Sequence, residues 1–425
     1  MPDTVSPAPQ VSRAPEHVAV IGAGMVGLAT AWFLQERGVR VTVLDRTGVA
    51  AGSSWGNAGW LTPGITTPLP EPAVLRYGLR EVLNPSSPVY VPFRADGKLL
   101  RFLAGFARHS TAAKWRGAMR AYIPMNRRAF EGYDALAAGG VTAPTQDAKS
   151  FLAAYRTEAE RSVLLDELKQ INSAGQPIEY DVLTGAEARE VEPSLSDGVG
   201  AAIRLYGQRF INPGRYVHAL ADSVRARGAS IVTGADVVDV RDERSGVRVV
   251  TAAGSAERYD AVVLATGTWL NTLARRFGVR TVVQAGRGYS FSIAIEHVPA
   301  GPVYFAAQRV ACTPLGDRLR VAGMMEFRRA EAPLDPRRIS AIVEAARPLL
   351  RGANLDARTD EWVGSRPCTP DGLPLIGRTG SARVYVAGGH GMWGITLGPL
   401  TGQLLAEQIA TGHQPVELHP FDPVR

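Results

Sequence analysis

A glycine-rich turn near the N-terminus constrains the fold of this chain more than any other feature. The apolar run 17–21 leads directly into Gly22, Gly24 and Gly27, which have the G-x-G-x-x-G spacing. The first glycine permits a tight turn, the second lets a pyrophosphate approach the backbone, and the third lets the following helix pack on the strand. The N-terminus of that helix offers free N–H groups to a phosphate. The sequence therefore predicts a nucleotide-binding βαβ unit.

The residues after this turn complete the predicted unit. A helix is expected to end near Gly38, and a second strand over 40–44 ends at Asp45, which Arg46 follows. A carboxylate in this place accepts hydrogen bonds from ribose hydroxyls and repels a 2′-phosphate. The pattern therefore favours a dinucleotide other than NADP.

A second strand followed by glycines lies near the C-terminus. Residues 384–388 form an apolar run, 389–392 form a glycine-rich turn, and a helix is expected over 395–411. The N-terminus of this helix would face the N1–C2=O region of a flavin and stabilise the negative charge that develops there on reduction. The chain would then return to the far end of one long ligand, which favours FAD over NAD.

The remaining patterns indicate an α/β fold with more than one domain. A chain of 425 residues exceeds the usual size of a single core. Asn212 and Pro213 begin a helix, and 260–267 is an apolar run that ends in a small-residue turn. Alternating segments over 281–330 predict an antiparallel sheet. We therefore expect a parallel nucleotide-binding sheet together with an antiparallel substrate sheet.

Cysteine content and hydropathy narrow the class of protein. The two cysteines, Cys312 and Cys368, exclude a disulfide framework and lack the spacing of a metal site, so no metal is expected. Residues 1–15 are rich in proline and polar residues and are expected to form a disordered tail. No apolar run approaches the ~20 residues that span a bilayer. A cytoplasmic location is therefore expected.

The net charge of +7 is concentrated in one segment. Residues 98–130 hold eight basic side chains, no acidic ones, and apolar residues at helical spacing. One interpretation is peripheral contact with anionic lipid at the inner face of the membrane, and the other is a pair of basic helices with solvated charges. Nucleic-acid binding is not expected, because no recognition motif accompanies the charge. The basic residues are Lys98, Arg101, Arg108, Lys114, Arg116, Arg120, Arg127 and Arg128.

These motifs, in this order, resemble the FAD-dependent D-amino-acid oxidase superfamily and, within it, the bacterial D-amino-acid dehydrogenase small-subunit branch. The resemblance extends from about residue 16 to 412. Trp60, Cys368 and the pair Met392-Trp393 depart from the pattern expected of that branch. The segments that carry the resemblance are 22–27, 57–64, 287–290, 320–324, 366–379 and 389–391.

The resemblance implies a Rossmann-like FAD-binding domain of the glutathione-reductase type, intertwined with an α+β substrate domain built on an antiparallel sheet. The expected FAD-binding domain is discontinuous and comprises residues 16–90, 205–275 and 360–425. The expected substrate domain comprises residues 91–204 and 276–359.

The resemblance also implies a reaction. The family moves the Cα hydrogen of an amino acid to flavin N5 as hydride, and the imino acid hydrolyses to a 2-oxo acid and ammonia. An arginine fork suits the substrate carboxylate, and Arg366 is the first candidate, with Arg287 and Tyr289 as further ones. His390 could act as a base, but we expect it to line the flavin, because solvent can deprotonate the amine.

FAD is expected to bind without a covalent tether, since a lone cysteine such as Cys368 is more often a packed residue. Residues 57–59 would lie beside the isoalloxazine, Ser54 near the diphosphate, and the main chain of Val237 near adenine, although Val237 could equally be sheet core. The predicted cofactor-binding residues are Gly22, Gly24, Met25, Val26, Gly27, Asp45, Arg46, Ser53, Ser54, Asn57, Ala58, Gly59, Val237, Thr266, Gly267, Gly389, His390, Gly391 and Met392.

Several functions remain open at this point. The electron acceptor could be a quinone, a partner protein or O₂. A glycine- or sarcosine-type oxidase that uses O₂ and a D-hydroxyproline dehydrogenase are enzyme alternatives to a D-amino-acid dehydrogenase. A flavin-binding subunit of a larger dehydrogenase is the non-catalytic alternative, but it predicts loss of the carboxylate-binding cations. An NAD-dependent dehydrogenase would leave the C-terminal motif unexplained.

Overall fold

The computed structural model describes residues 14–81, 88–91 and 96–425. Most of the predicted tail 1–15 therefore lies outside the described residues. The helices are α1 (Met25–Glu36), α2 (Pro72–Glu81), α3 (Gly97–His109), α4 (Ala112–Ala138), α5 (Glu158–Ser173), α6 (Gly185–Val191), α7 (Pro213–Ala226), α8 (Leu270–Ala274), α9 (Pro336–Ala346) and α10 (Gly394–Thr411).

The strands alternate with these helices in the first half of the chain and dominate the second half. They are β1 (His17–Ile21), β2 (Arg40–Asp45), β3 (Trp60–Leu61), β4 (Val89–Tyr90), β5 (Gln146–Asp147), β6 (Phe151–Tyr155), β7 (Tyr180–Thr184), β8 (Ala201–Leu205), β9 (Arg209–Phe210), β10 (Ser230–Thr233), β11 (Val237–Glu243), β12 (Gly246–Thr251), β13 (Ala256–Tyr259), β14 (Ala261–Leu264), β15 (Gln284–Ile293), β16 (Val303–Phe305), β17 (Val310–Leu315), β18 (Arg318–Phe327), β19 (Thr359–Cys368), β20 (Leu375–Arg378) and β21 (Val384–Gly388).

A six-stranded sheet with the order β10-β2-β1-β14-β21-β20 contains the glycine-rich turns. Its strands run parallel from β10 to β21, and β20 pairs antiparallel with β21. Helices α1 and α10 pack closely, since a Cβ on Gly402 would lie 2.6 Å from the backbone of Ala29. The predicted parallel βαβ unit is confirmed. Strands β1, β14 and β21 direct their carboxyl ends to the same edge of the sheet.

A nine-stranded sheet follows the order β19-β15-β18-β17-β16-β6-β8-β7, and β4 pairs with β18. The antiparallel pairing predicted over 281–330 is confirmed by β15, β17 and β18. One face packs against α9 through residues such as Phe291 and Val321. The opposite face carries Ser290, Arg320 and Trp362, which are neighbours across the strands. We call it the loop face, because residues 55–60 lie on it.

The basic segment forms the two helices α3 and α4, as its spacing predicts. Asp96 caps α3 by accepting a hydrogen bond from the Lys98 amide at 2.9 Å. The buried side of α3 places Phe102 and Phe106 in one cluster with Met325 of β18. Among the described residues, no helix combines the length and the apolar character needed to cross a bilayer.

Candidate active site

A cleft opens where β1, β14 and β21 end, which is the edge at which parallel α/β sheets bind ligands. It brings together twelve of the predicted site residues, namely Gly24, Met25, Val26, Gly27, Ser53, Ser54, Asn57, Gly267, Arg366, His390, Gly391 and Met392. Its other lining residues, which the sequence analysis missed, are Ala265, Pro367, Ala387, Gly388, Gly394 and Ile395. Each of the six lies within three residues of a predicted one, so their place in the motifs could have revealed them.

The three glycines of the first turn play different structural roles. Gly22 has φ +118°, and a Cβ there would lie 2.4 Å from the Ala265 carbonyl oxygen. A Cβ on Gly27 would lie 2.0 Å from the Gly22 carbonyl oxygen. A Cβ on Gly24 would meet only the Ser54 hydroxyl, at 3.3 Å. Gly22 and Gly27 are thus required by the protein's own packing. At Gly24 the missing side chain instead leaves room in the cleft for a ligand.

Asp45 ties the glycine turn to the loop after β2. One carboxylate oxygen accepts a hydrogen bond from the Ala23 amide at 2.8 Å, and the other accepts from the amides of Thr47 and Gly48, both at 2.8 Å. A carboxylate has about four acceptor sites, so it can still accept from a ribose hydroxyl. The neighbouring Arg46 guanidinium lies 3.8 Å from the ring centroid of Trp269. Neither Asp45 nor Arg46 lines the cleft.

The other predicted cofactor-binding residues do not line the cleft. Gly59 has φ +79° and lies so close to Ile211 that a Cβ would be 2.2 Å from the Ile211 carbonyl oxygen. Val237 begins β11 and is half-buried. The remaining residues of this group are Gly22, Ala58, Thr266 and Gly389.

The cleft fits a long flavin dinucleotide on its own chemistry. The Thr266 hydroxyl oxygen, beside the end of β14, is buried and has no hydrogen-bond partner within the part of the chain that the structure describes. Helices α1 and α10 both direct their N-termini to the cleft, at Met25 and Gly394, and so offer N–H groups and positive dipole ends from two directions. A long ligand with a phosphate at one helix N-terminus and a group that takes up negative charge at the other fits this arrangement.

Arg366 of β19 lines the cleft and is its one cationic lining residue in the described chain. Its Nη1 donates a hydrogen bond to the Met324 carbonyl oxygen at 2.8 Å and lies 3.9 Å from the Met325 sulfur. No carboxylate in ranges 14–81, 88–91 and 96–425 forms an ion pair with it, and burial lowers its pKa. A guanidinium stays charged at neutral pH, so Arg366 presents an uncompensated cation to the cleft.

The nine-stranded sheet is shaped to hold this guanidinium. A Cβ on Gly288 would lie 2.3 Å from the Arg366 Nη2 atom, so the glycine provides the space in which the side chain lies. Met324 has φ +69°, within a bulge where β18 shifts register against β15, and its carbonyl group accepts from Arg366. Gly288 belongs to the stretch 287–290 that the sequence analysis singled out, so its importance could be predicted. No feature of the sequence predicts the bulge at Met324.

Arg287 and Tyr289 lie on the opposite face of the sheet and do not meet Arg366. Arg287 Nη1 lies 3.2 Å from Glu326 Oε2, and the Tyr289 hydroxyl donates to the same oxygen at 2.6 Å. Burial, followed by this hydrogen bond, raises the pKa of Tyr289. Alternate residues of a strand point to opposite faces, so 287 and 289 face away from the side on which Gly288 meets Arg366. The structure therefore separates the three candidates for the carboxylate clamp.

His390 lines the cleft, but its ring is only 2% exposed. Its Nε2 lies 3.0 Å from the Thr401 hydroxyl, and burial lowers its pKa to about 4. The imidazole is therefore neutral at neutral pH. Burial likewise raises the pKa of the Cys368 thiol to about 12 and keeps it protonated, and Cys368 does not line the cleft.

Comparisons with known proteins agree with this geometry. The family model described as "FAD dependent oxidoreductase" (DAO) matches residues 17–408. A D-amino acid dehydrogenase from Cereibacter sphaeroides is 29% identical over 400 residues, which cover 92% of this chain and 91% of the relative. Another, from Xylella fastidiosa, is 29% identical over 403 residues, which cover 92% of both chains.

Solved structures share the fold at lower identity. Glycine oxidase from Geobacillus kaustophilus has a TM-score of 0.71 at 23% identity, with 96% of this chain and 99% of that chain covered. Iminodiacetate oxidase from Chelativorans has a TM-score of 0.72 at 19% identity, with 96% and 98% covered. The likeness covers almost the whole chain and therefore both sheets.

Proposed function

Since this chain belongs to the DAO family of FAD-dependent oxidoreductases, we propose that it oxidises the Cα–N bond of a D-amino acid. The observation that carries this proposal is Arg366, a cation without a carboxylate partner in the described chain, placed in the cleft that fits FAD. The choice of the D-enantiomer is supported by the names of relatives that are 29% identical.

Arg366 binds and orients the substrate in this proposal. Its planar fork can donate hydrogen bonds to both oxygens of an α-carboxylate, and its bond to the Met324 carbonyl oxygen holds one nitrogen of that fork in place. Bidentate binding limits rotation of the substrate, so the Cα–H bond points in a fixed direction. Bound FAD supplies the acceptor for the hydride. Cα loses a hydrogen with its electron pair, the nitrogen forms a double bond to Cα, and water hydrolyses the imine to a 2-oxo acid and ammonia.

The surroundings of Arg366 limit access of water. Phe102 and Phe106 of α3 pack in one cluster with Met325 and Cys368, beside the guanidinium. Removing water from an ion pair strengthens its electrostatic attraction, because the effective dielectric constant falls. This cluster therefore favours a tightly held carboxylate and an apolar environment for hydride transfer.

In this proposal His390 forms part of the cleft wall and is held by its hydrogen bond with Thr401. With a pKa of about 4 it is already unprotonated at neutral pH, and its Nε2 contacts Thr401, so it makes a poor acceptor for the amine proton. Solvent takes that proton before the hydride leaves. Arg287 and Tyr289 stabilise the sheet behind Arg366 through Glu326, and we do not assign them to the substrate.

Two other substrate classes fit the same site. Glycine, sarcosine and hydroxyproline all carry a carboxylate for Arg366 next to an oxidisable Cα–N bond. The glycine oxidase of similar fold makes a glycine- or sarcosine-type oxidase the second candidate. The acceptor of the reducing equivalents is a quinone or partner protein for a dehydrogenase, and O₂ for an oxidase. A purely flavin-binding subunit is disfavoured, because it would have no use for the unpaired charge of Arg366.

Anaerobic bleaching of the flavin tests the proposed function. We expect the purified protein to show a flavin absorbance spectrum, to release FAD on denaturation, and to be bleached by D-amino acids but not by their L-enantiomers. The panel includes glycine, N-methylglycine and the hydroxyprolines, so bleaching by one of these alone would select the second candidate. A flavoprotein that none of them bleaches, or a colourless protein that cannot be reconstituted with FAD, would contradict the proposal.

The exposed basic surface supports a further part of the proposal, peripheral contact with the inner face of the membrane. Seven of its eight cations are exposed and form no ion pair with a carboxylate in the described ranges, whereas Arg128 pairs with Glu131 and Glu417. Leu100 of α3, between Lys98 and Arg101, is 60% exposed. An apolar side chain among unpaired cations suits an anionic lipid surface.

Vesicle sedimentation tests this contact. We expect the protein to sediment with vesicles that contain anionic lipid, to remain in solution with neutral vesicles, and to be released by high salt. Because each basic residue near such a surface contributes about 1 kcal/mol, Arg101→Glu with Arg108→Glu should weaken binding by about tenfold or more. The matched control is Arg215→Glu with Arg248→Glu, two exposed arginines elsewhere. If both double variants bind the vesicles equally well, the basic helices do not form the membrane contact, and their charges are simply solvated.

A further inference from the structure

Residues 55–60, here called the tryptophan loop, lie between part of the cleft and the loop face of the nine-stranded sheet. Asn57 lines the cleft, while Gly56 and Trp60 contact the loop face. The Ser290 hydroxyl donates a hydrogen bond to the Gly56 carbonyl oxygen at 2.8 Å. The indole N–H of Trp60 donates to the Thr313 hydroxyl at 2.8 Å. The wall of the cofactor cleft is thus attached to the substrate sheet.

A buried arginine lies beneath this loop. Arg320 is 4% exposed and donates hydrogen bonds to the hydroxyls of Ser290 and Ser292, both at 3.2 Å. Its guanidinium lies 4.9 Å from the ring centroid of Trp55. No carboxylate within the described ranges forms an ion pair with it, and burial lowers its pKa. Burial of a charge without an ionic partner costs several kcal/mol, so stability alone does not account for this side chain.

Arg320 determines which way the Ser290 hydroxyl points. A serine hydroxyl has one proton to donate and two lone pairs to accept. Because Arg320 Nη1 donates to the Ser290 oxygen, the hydroxyl proton is free for the Gly56 carbonyl group. Charge on the donor strengthens both bonds of such a chain. The pair therefore forms a directed link from the sheet to the tryptophan loop.

Trp362 sets the spacing between the loop and the strand that carries Arg366. Its indole lies against Gly56 and Gly364, since a Cβ on Gly56 would be 2.2 Å from the ring and one on Gly364 would be 1.9 Å from it. Gly364 pairs with Gly288, on which the Arg366 guanidinium lies. The ring is thus wedged between the cofactor-side loop and the substrate-binding strand.

We propose that Arg320 and Ser290 are positioning residues that hold the tryptophan loop, and hence the flavin-side wall of the cleft, at a fixed distance from Arg366. The proposal rests on the proposed function, in which Arg366 anchors the substrate and FAD occupies the cleft. Hydride transfer depends steeply on the separation of donor and acceptor, and a displacement of about 1 Å can cost about 100-fold in rate. Neither residue lines the cleft, so both would act through the loop and not on the reacting atoms directly.

Comparison of Ser290→Ala with Ser292→Ala tests the proposal. Both serines lie on β15, and both accept from Arg320 at 3.2 Å, but only Ser290 contacts the tryptophan loop. We expect Ser290→Ala to lower the rate constant of anaerobic flavin reduction by about tenfold or more, while the Kd of the substrate changes by less than about threefold. Ser292→Ala should behave as the wild type. Equal effects of the two variants, or an unchanged rate constant in Ser290→Ala, would overturn the proposal.

Hydrogen exchange provides a readout that needs no turnover. We expect faster deuterium uptake over residues 53–61 in Ser290→Ala and in Arg320→Met than in Ser292→Ala, with FAD bound and without it. Arg320→Lys, which keeps the charge and one donor, should restore part of the protection. Unchanged exchange in Ser290→Ala would contradict the proposal. Wild-type protein that no amino acid reduces would refute the proposed function instead, while the exchange result would still report on the loop.

Discussion

Replacement of Arg366 by methionine is expected to lower kcat/KM for the amino acid by about two to three orders of magnitude. The variant leaves the substrate carboxylate without its cation, and removal of one partner of a buried ion pair costs about 2–5 kcal/mol. FAD content should stay normal, because in the proposed function Arg366 binds the substrate and not the cofactor. Arg366→Lys should lower kcat/KM less than Arg366→Met does, because lysine keeps the positive charge although it lacks the bidentate fork. Steady-state kinetics and the flavin spectrum measure both quantities.

The thermal midpoint of the substrate-free protein distinguishes this function from a structural one. Arg366 is charged, half-buried and without an ion-pair partner among the described residues, so methionine removes part of a desolvation cost. We therefore expect an unchanged or higher midpoint for Arg366→Met. Arg318→Met, at an exposed arginine of the same sheet, serves as the control and should keep full activity. A lower midpoint together with lost FAD would assign Arg366 to the fold.

Alanine at two glycines of the first turn is expected to separate cofactor binding from folding. Gly24→Ala should fold normally, because its new Cβ meets only the Ser54 hydroxyl at 3.3 Å, yet bind FAD about 10- to 100-fold more weakly, since the methyl group occupies the approach of the pyrophosphate. Gly27→Ala should lower the free energy of unfolding by about 3 kcal/mol, because its Cβ would lie 2.0 Å from the Gly22 carbonyl oxygen.

Thermal unfolding of the apoprotein and FAD titration test this pair of variants. Gly52→Ala is the control, since a Cβ there has no neighbour within 4 Å. It should match the wild type in both measurements. If Gly24→Ala binds FAD as tightly as the wild type, the pyrophosphate does not lie at this turn. If Gly27→Ala is as stable as the control, the contact between α1 and the turn is looser than the structure indicates.

The parallel sheet and its cleft could be predicted because their signals are local in the sequence. The spacing of Gly22, Gly24 and Gly27 requires a tight turn between a strand and a helix, and both lie within twelve residues of it. The second turn, at 389–392, could be predicted in the same way, because it also lies between a strand and a helix that are close to it in the sequence. Arg366 was predictable only through resemblance, since an isolated Arg-Pro pair has no particular meaning. The two glycine turns meet in the cleft because parallel strands end at one edge, whereas Arg366 reaches the cleft from the nine-stranded sheet.

The geometry around Arg366 could not be predicted, because it depends on pairing between distant strands. Arg287, Gly288 and Tyr289 are consecutive, and only the register of β15 against β18 and β19 shows which face meets the cleft. The sequence analysis named Arg287 and Tyr289 as further candidates for the substrate carboxylate, whereas alternation along a strand directs both to Glu326. The bulge at Met324 is likewise a property of the paired strands.

The attachment of the tryptophan loop to the substrate sheet has a thermodynamic consequence. Its fastening contacts, at Ser290, Thr313 and Trp362, belong to a sheet remote from the glycine turns that bind the cofactor. Any ligand that binds only the native cleft stabilises every part that must be ordered for the cleft to exist. Because Asn57 of this loop lines the cleft, we expect cofactor loading and the ordering of the distant sheet to be linked equilibria, so that FAD stabilises the sheet as well as the cleft.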